Sequence, residues 1–417
     1  MRLSKTVVTE LRDMNNIIIG QSGGPTVAIN ATLSGIIKGC KELFPDAVIY
    51  GARNGIKGIL GENFVCLNEQ VQTNSQAYAL ETTPAAALGS CRMKLPTDLS
   101  DSVYDNIFAT FYRYKIGAFF YIGGNDSMDT VEKLSRKAAE LNHPIRIIGV
   151  PKTIDNDLPF TDHTPGFGSA AKYVATTIQE IACDCAVYPE PSVTIVEIMG
   201  RDAGWLTAAA GIPRLFGEDC ADLIYLPEVD FDSNRFLDDI RRKFKEKVNL
   251  VVAVSEGIHD KNGTLFGADP SGKKDVFGHT MLSGAARRLS ELVKAEIGCK
   301  SRSVELNIPQ RCASHCLSAT DISESVSLGR AAVKAAFEGK TAQMITYIRR
   351  PGKVYAVDFG FVPVSKTANK TKYVPVDQIL PGGNDVSDDL LRELAPLIVG
   401  EIDAPRRAGL PYHFKIK

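Results

Sequence analysis

Apolar residues are distributed along the chain in two recurring patterns. Short unbroken runs at 17–19, 116–122, 145–150, 193–198 and 250–254 have the length of buried strands. Between them, apolar positions recur every three or four residues, as in Ile29, Leu33, Ile36, Ile37 and Cys40, or Val174, Ile178, Ile181 and Cys185. That is the spacing of a helix with one covered face. The same reading predicts helices from 128 to 138, 166 to 185, 278 to 297 and 322 to 338. It predicts further strands at 48–50, 302–311, 345–348 and 354–362. Wholly apolar strands alternating with amphipathic helices predict an α/β chain of doubly wound, mainly parallel sheets.

Several predicted strands run straight into small or glycine residues. The first ends in Gly20, Gln21, Ser22, Gly23, Gly24 and Pro25, the next long one in Gly123, Gly124, Asn125, Asp126 and Ser127. Later ends read Met199, Gly200, Arg201 and Ser255, Glu256, Gly257. In an open α/β sheet this is the edge that binds ligands. A glycine turn leading into a helix start suits an anion, because backbone amides can approach it and the helix end carries partial positive charge. Pro25 fits the first turn of a helix there. Asp126 and Ser127 could instead act as helix caps. The first turn is neither G-x-G-x-x-G nor a P-loop, which speaks against a dinucleotide site. Arg92, Arg302 and Arg311, each taken alone, read as surface charges.

The loop after residues 145–150 reads Pro151, Lys152, Thr153, Ile154, Asp155, Asn156, Asp157. Two carboxylates two residues apart, with a lysine three before the first, fit a site that handles a proton, a metal ion and an anion together. A turn whose Asx side chains bond their own backbone is the competing reading.

At 417 residues the chain exceeds one compact core and predicts two or three domains. Charged residues make up 23% with a net charge of −1, so no basic excess points to nucleic acid. No apolar run reaches the length of a membrane span, and the first fifteen residues lack a signal-like apolar centre, which predicts a cytoplasmic protein. The nine cysteines read as reduced thiols, and Cys183 and Cys185 are too closely spaced for a zinc pair.

Taken together, G-G-P-T at Gly23, G-G-N-D-S at Gly123, P-K-T-I-D-N-D at Pro151, M-G-R at Met199, E-G at Glu256 and Q-R at Gln310 and Arg311 resemble the phosphofructokinase family. The pyrophosphate-dependent branch is the closer likeness. The motifs follow the family order over residues 17–338. The resemblance implies two Rossmann-like domains with the active site in the cleft between them. A donor domain would cover 1–165 with a returning segment at 312–345, a sugar domain 166–311, and a C-terminal extension 346–417. It implies reversible phosphoryl transfer from pyrophosphate to the 1-hydroxyl of fructose 6-phosphate, a glycolytic and gluconeogenic step, with Mg2+ as cofactor. Asp155 would be the general base and Thr153 would position the sugar. Lys152 and Asp126 stand where ATP-using relatives carry glycine, and so would select the donor. Gly23, Gly24, Arg92, Gly124, Asn125 and Ser127 would hold the donor, and Asn125, Asp126 and Asp157 the metal. Met199, Gly200, Arg201, Glu256, Arg302, Ile308 and Arg311 would form the sugar phosphate pocket. Two positions depart from the family: Asn125 replaces a common metal-binding aspartate, and Ile308 a common His or Tyr. The resemblance also implies a homodimer or homotetramer with active sites shared between subunits. An ATP-dependent enzyme and a noncatalytic regulatory subunit of such an enzyme are the alternatives.

Overall fold

The computed structural model describes residues 15–268 and 284–417. Eleven strands form two sheets: β1 (Asn16–Gln21), β2 (Ile49–Ala52), β3 (Phe64–Cys66), β4 (Ile116–Gly123), β5 (Arg146–Pro151), β6 (Ser192–Ile198), β7 (Leu223–Tyr225), β8 (Asn249–Ser255), β9 (Lys300–Glu305), β10 (Gln343–Arg349) and β11 (Val357–Pro363). The first sheet has the order β11-β10-β5-β4-β1-β2-β3, the second β7-β8-β6-β9. All pairs are parallel except β2 with β3 and β10 with β11. A small antiparallel pair, Arg406–Arg407 with Leu410–Pro411, stands apart.

Both sheets are covered on both faces, which is why their strands are apolar without alternation. On one side of the first sheet, Ile17, Ile19, Phe120, Ile122 and Val150 pack with Leu33, Ile36, Leu328 and Val333. On the other, Ile18, Phe119, Tyr121 and Ile147 meet Tyr104, Phe111, Val131 and Leu134. The second sheet is sandwiched in the same way, Val196 and Ile198 against Val174 and Ile178, Ile195 and Val252 against Phe236 and Leu289.

After the second sheet the chain returns. Helix Ala319–Phe337 lies along helix Ile29–Leu43 and feeds β10, which pairs beside β5. Two glycines let the helices approach backbone to backbone: a Cβ on Gly35 would sit 2.1 Å from the Val326 carbonyl, and one on Gly329 2.4 Å from that of Thr32. Strands β10 and β11, which the sequence reading assigned mainly to a C-terminal extension, thus complete the first sheet.

Several boundaries differ from expectation. The strand read over 302–311 is β9 only to Glu305, followed by a 3-10 turn at Ile308–Arg311. Asn307 takes a φ of +44° and Pro309 has no N–H to donate, so the ladder cannot continue. The helix after Pro25 begins only at Ile29, so Gly23 to Ala28 form a loop and not a helix start. The helix read over 278–297 is observed as Ala285–Glu296, and the start of the expected range lies outside the described residues.

Candidate active site

Loops from the C-terminal ends of both sheets converge on one cleft of about 560 Å3. The loops after β1 (Gly23 to Thr26), β4 (Gly124 to Ser127) and β5 (Lys152 to Asp155, and Asp157) supply one wall. The other is built from Met199, Arg201 and Asp202 after β6, Glu256 after β8 and Arg311 after β9. Arg92 also lines it.

Helix Asn125–Glu140 starts directly at the glycine turn and points its N-terminus into the cleft. Its N-cap is Gly124, with no side-chain cap, so neither Asp126 nor Ser127 serves the capping role that the residue types allowed. Gly123 must be glycine: a Cβ there would lie 1.9 Å from the Ser127 hydroxyl. The Asn125 Oδ1 is buried with no hydrogen-bond partner. Asp126 lies 3.4 Å from the Lys94 ammonium. At the first turn the Gly23 amide donates to the Cys91 carbonyl (3.4 Å), and the buried Lys152 ammonium donates to the Gly24 carbonyl.

Lys152 is 2% exposed. Burial pulls its pKa down to about 8, while Asp155 and Asp157 oppose that fall. In the turn beyond it the Asp155 amide donates to the Thr153 hydroxyl (3.1 Å), whose O–H faces the Asp155 carboxylate (3.4 Å). The Asx-turn reading therefore fails for Asp155, since threonine supplies the local bond and the carboxylate stays directed to the cleft. Burial raises the pKa of Asp155, with Lys152 opposing. Asp157 is pushed up to about 7, first by burial and then by Asp155.

Across the cleft, Gly200 takes a φ of +138°, and its carbonyl accepts from Ser255 Oγ at 2.5 Å. The Met199 amide is held by Gln310 Oε1 (3.2 Å) and the Gly200 amide by Glu256 Oε1 (3.4 Å). The Nε atoms of Arg201 and Arg311 are buried without a hydrogen-bond partner, an arrangement that suits an anion. Glu256 is pushed up to about 7 from an ordinary value of 4.5, first by burial and then by Asp155. A carboxylate with a raised folded-state pKa destabilises the folded chain fully above about pH 7, and that penalty disappears as the pH falls toward 4.5. Glu256→Gln is therefore expected to stabilise the ligand-free protein at pH 8, on the order of 1–2 kcal/mol. Calorimetry should show the gain shrinking toward pH 5, and a constant gain across that range would refute the assignment.

Three expected residues are not among those lining this cleft: Gly200, which sits between the lining residues Met199 and Arg201, and two that lie away from it. Arg302 lies on β9 three positions before the strand end, roughly 10 Å back along it. It is 48% exposed, 3.9 Å from Asp184 and beside the Tyr188 ring. Ile308 is 57% exposed. Neither lines the cleft of its own chain: Arg302 lies back along β9 from the catalytic edge, and Ile308 is exposed on the 3-10 turn.

Sequence reasoning passed over Thr26, Lys94, Asp202, Asn369 and Thr371, all of which line the cleft. Thr26 is the last residue of the recognised G-G-P-T motif and Asp202 directly follows M-G-R, so both could have been found. Asn369 and Thr371 arrive from a distant segment that carried no local signal.

The phosphofructokinase family model matches residues 16–336. The chain is similar to the pyrophosphate–fructose 6-phosphate 1-phosphotransferase of Halomonas elongata, 38% identical over 95% of both chains. It is likewise similar to that of Xanthomonas campestris pv. campestris, 39% identical over 96% of each. A crystal structure of pyrophosphate-dependent phosphofructokinase from Nitrosospira multiformis superposes with a TM-score of 0.87 at 35% identity, covering 96% of both chains.

Proposed function

The chain belongs to the phosphofructokinase family, and on that premise we propose that it transfers a phosphoryl group reversibly between pyrophosphate and the 1-hydroxyl of fructose 6-phosphate. One observation carries the choice of donor: Lys152 and Asp126 line the same cleft as Asp155. The ammonium would supply positive charge to a transferring phosphoryl group, and the Asp126 carboxylate would repel the further phosphates of a nucleotide.

The first sheet would serve the donor and the second the sugar phosphate. Met199, Gly200, Arg201, Glu256 and Arg311 hold the sugar, with Thr153 fixing the end that reacts. Asp155 takes the proton of the 1-hydroxyl as its oxygen bonds to phosphorus, and the bond from that phosphorus to the bridging oxygen of pyrophosphate breaks to release phosphate. Raised by burial, Asp155 is a better proton acceptor than a solvated carboxylate. Lys152 steadies the charge on the transferring and leaving groups. Gly23, Gly24, Arg92, Gly124, Asn125 and Ser127 enclose the donor.

The donor set fits Mg2+. Asn125 offers an orphaned buried oxygen and Asp126 and Asp157 two carboxylates on the same cleft. Among the described residues no cluster of three or more His, Cys, Asp or Glu makes a complete cage. Magnesium does not need one, since it binds through one or two carboxylates with substrate phosphates and waters. When bound, the ion would neutralise and orient the pyrophosphate oxygens.

Arg302, exposed and away from its own cleft, would reach the sugar phosphate of a neighbouring subunit in a homo-oligomer with shared sites. Among the described residues no helix is long and apolar enough to cross a membrane, and the proposed site of action is the cytoplasm. The test is direct. Purified chain with magnesium and fructose 6-phosphate is expected to release phosphate from pyrophosphate and to run backward from fructose 1,6-bisphosphate plus phosphate. Turnover with ATP and none with pyrophosphate would establish the ATP-dependent alternative instead.

A further inference from the structure

Residues 369–374 cross the rim of the cleft and are tied to each of its working parts. Asn369 Nδ2 donates to Asp129 Oδ1 (3.1 Å), on the helix that begins at the Gly123–Gly124 turn. The Lys372 amide donates to the Asp157 carbonyl (2.7 Å). Trp205 Nε1 donates to the Lys372 carbonyl (2.9 Å). The Val374 amide donates to Glu228 Oε1 (2.9 Å), the same oxygen that receives the Gly204 amide (2.9 Å). This strap therefore bonds to the donor helix, the catalytic turn and the segment after Arg201.

At its centre, the Lys372 ammonium has three donors and three acceptors: Asn156 Oδ1 (3.1 Å), the Thr161 carbonyl (3.1 Å) and the Asp162 carbonyl (2.8 Å). The ammonium also lies 5.0 Å from the Trp205 ring centroid. The carbonyls it grips are backed by a rigid cluster, in which the Asp162 carboxylate binds Arg349 (2.9 Å) and His163 (2.8 Å), and His163 in turn faces Glu324 (2.8 Å). Asn156 is 1% exposed and takes a φ of +53°, a left-handed conformation that side chains adopt at a cost. It stands between Asp155 and Asp157, both of which line the cleft.

We infer that Lys372 is a positioning residue: by gripping the side chain of Asn156 it holds the turn that presents Asp155 and Asp157 in its reactive shape. This rests on Asp155 being the base. It requires nothing of Lys372 beyond its hydrogen bonds, and the residue itself does not line the cleft.

The experiment measures pyrophosphate-dependent turnover of the full chain and of Lys372→Met, Lys372→Arg, Asn156→Gly and the double variant Lys372→Met/Asn156→Gly. Lys372→Met is expected to lower kcat about a hundredfold, the effect of a small misplacement of a reacting group. KM for either substrate should change by less than about threefold, and Lys372→Arg should restore part of the loss. Glycine at 156 reaches the left-handed conformation freely but lacks the amide that Lys372 holds. The two losses should therefore not add. The chain has a single tryptophan, Trp205, so its emission reports on the strap and should shift in Lys372→Met. A kcat within about threefold of wild type in Lys372→Met, or additive losses in the double variant, would overturn the inference. If Lys372→Met does not fold, Asn156→Gly decides alone, and an unchanged kcat there is equally fatal. A wild-type chain inactive with pyrophosphate would remove the proposed function and leave the strap to be judged by Trp205, whose emission must then differ between wild type and Asn156→Gly.

Discussion

Asp155→Asn is expected to lower the forward and reverse rates by about 10³, with binding of both substrates retained. Asparagine keeps the size of the side chain and its contact with the Thr153 hydroxyl, but its amide cannot accept the proton of the sugar hydroxyl. It also removes a buried charge that Asp157 and Glu256 feel, so the folded protein should not suffer. Initial-rate kinetics beside a melting curve separate the two effects, and a variant that keeps a tenth of the wild-type kcat would exclude Asp155 as the base. The same variant tests the shared site. If Arg302 serves a neighbouring subunit, mixing and reassembling Asp155→Asn chains with Arg302→Ala chains should recover activity that neither possesses alone.

The second large effect concerns the donor. Two unit charges about 4 Å apart at an effective dielectric near 20 repel by roughly 4 kcal/mol, or about a thousandfold in binding. This is the penalty that the Asp126 carboxylate would place on a nucleotide phosphate next to it. Asp126→Gly combined with Lys152→Gly should therefore lower pyrophosphate-dependent kcat/KM by about 10³ and bring ATP-dependent turnover into the measurable range. Lys152 is buried, so the pair also removes packed volume, and circular dichroism must show a folded variant before its kinetics are read. Loss of the pyrophosphate reaction with no gain in ATP use would mean that these side chains serve the transferring group and do not select the donor.

Much of this was legible in the chain because the catalytic edge of a parallel sheet is written locally. Each strand ends in its own short signal, and Gly123 to Ser127 or Lys152 to Asp157 can be read without knowing the fold. What escaped was carried by distance in the sequence. Lys372 stands in a segment of ordinary polar composition, and its importance comes from meeting Asn156 across 216 residues. Arg302 could not be placed for the opposite reason: the family resemblance made it a phosphate ligand, but only strand register reveals that it lies short of the catalytic edge of its own chain. The helix after Pro25 was read four residues too early because proline marks where a helix is permitted to begin and not where it does.

The return of residues 319–363 to the first sheet bears on how the protein is made. Translation proceeds from the N-terminus, so β5 and the apolar side of helix Ile29–Leu43 leave the ribosome long before the segment that covers them. A nascent chain that has completed its second sheet still displays an unpaired strand edge and an uncovered greasy surface on the first. Such surfaces invite aggregation. The half that is synthesised first is therefore the one that finishes last.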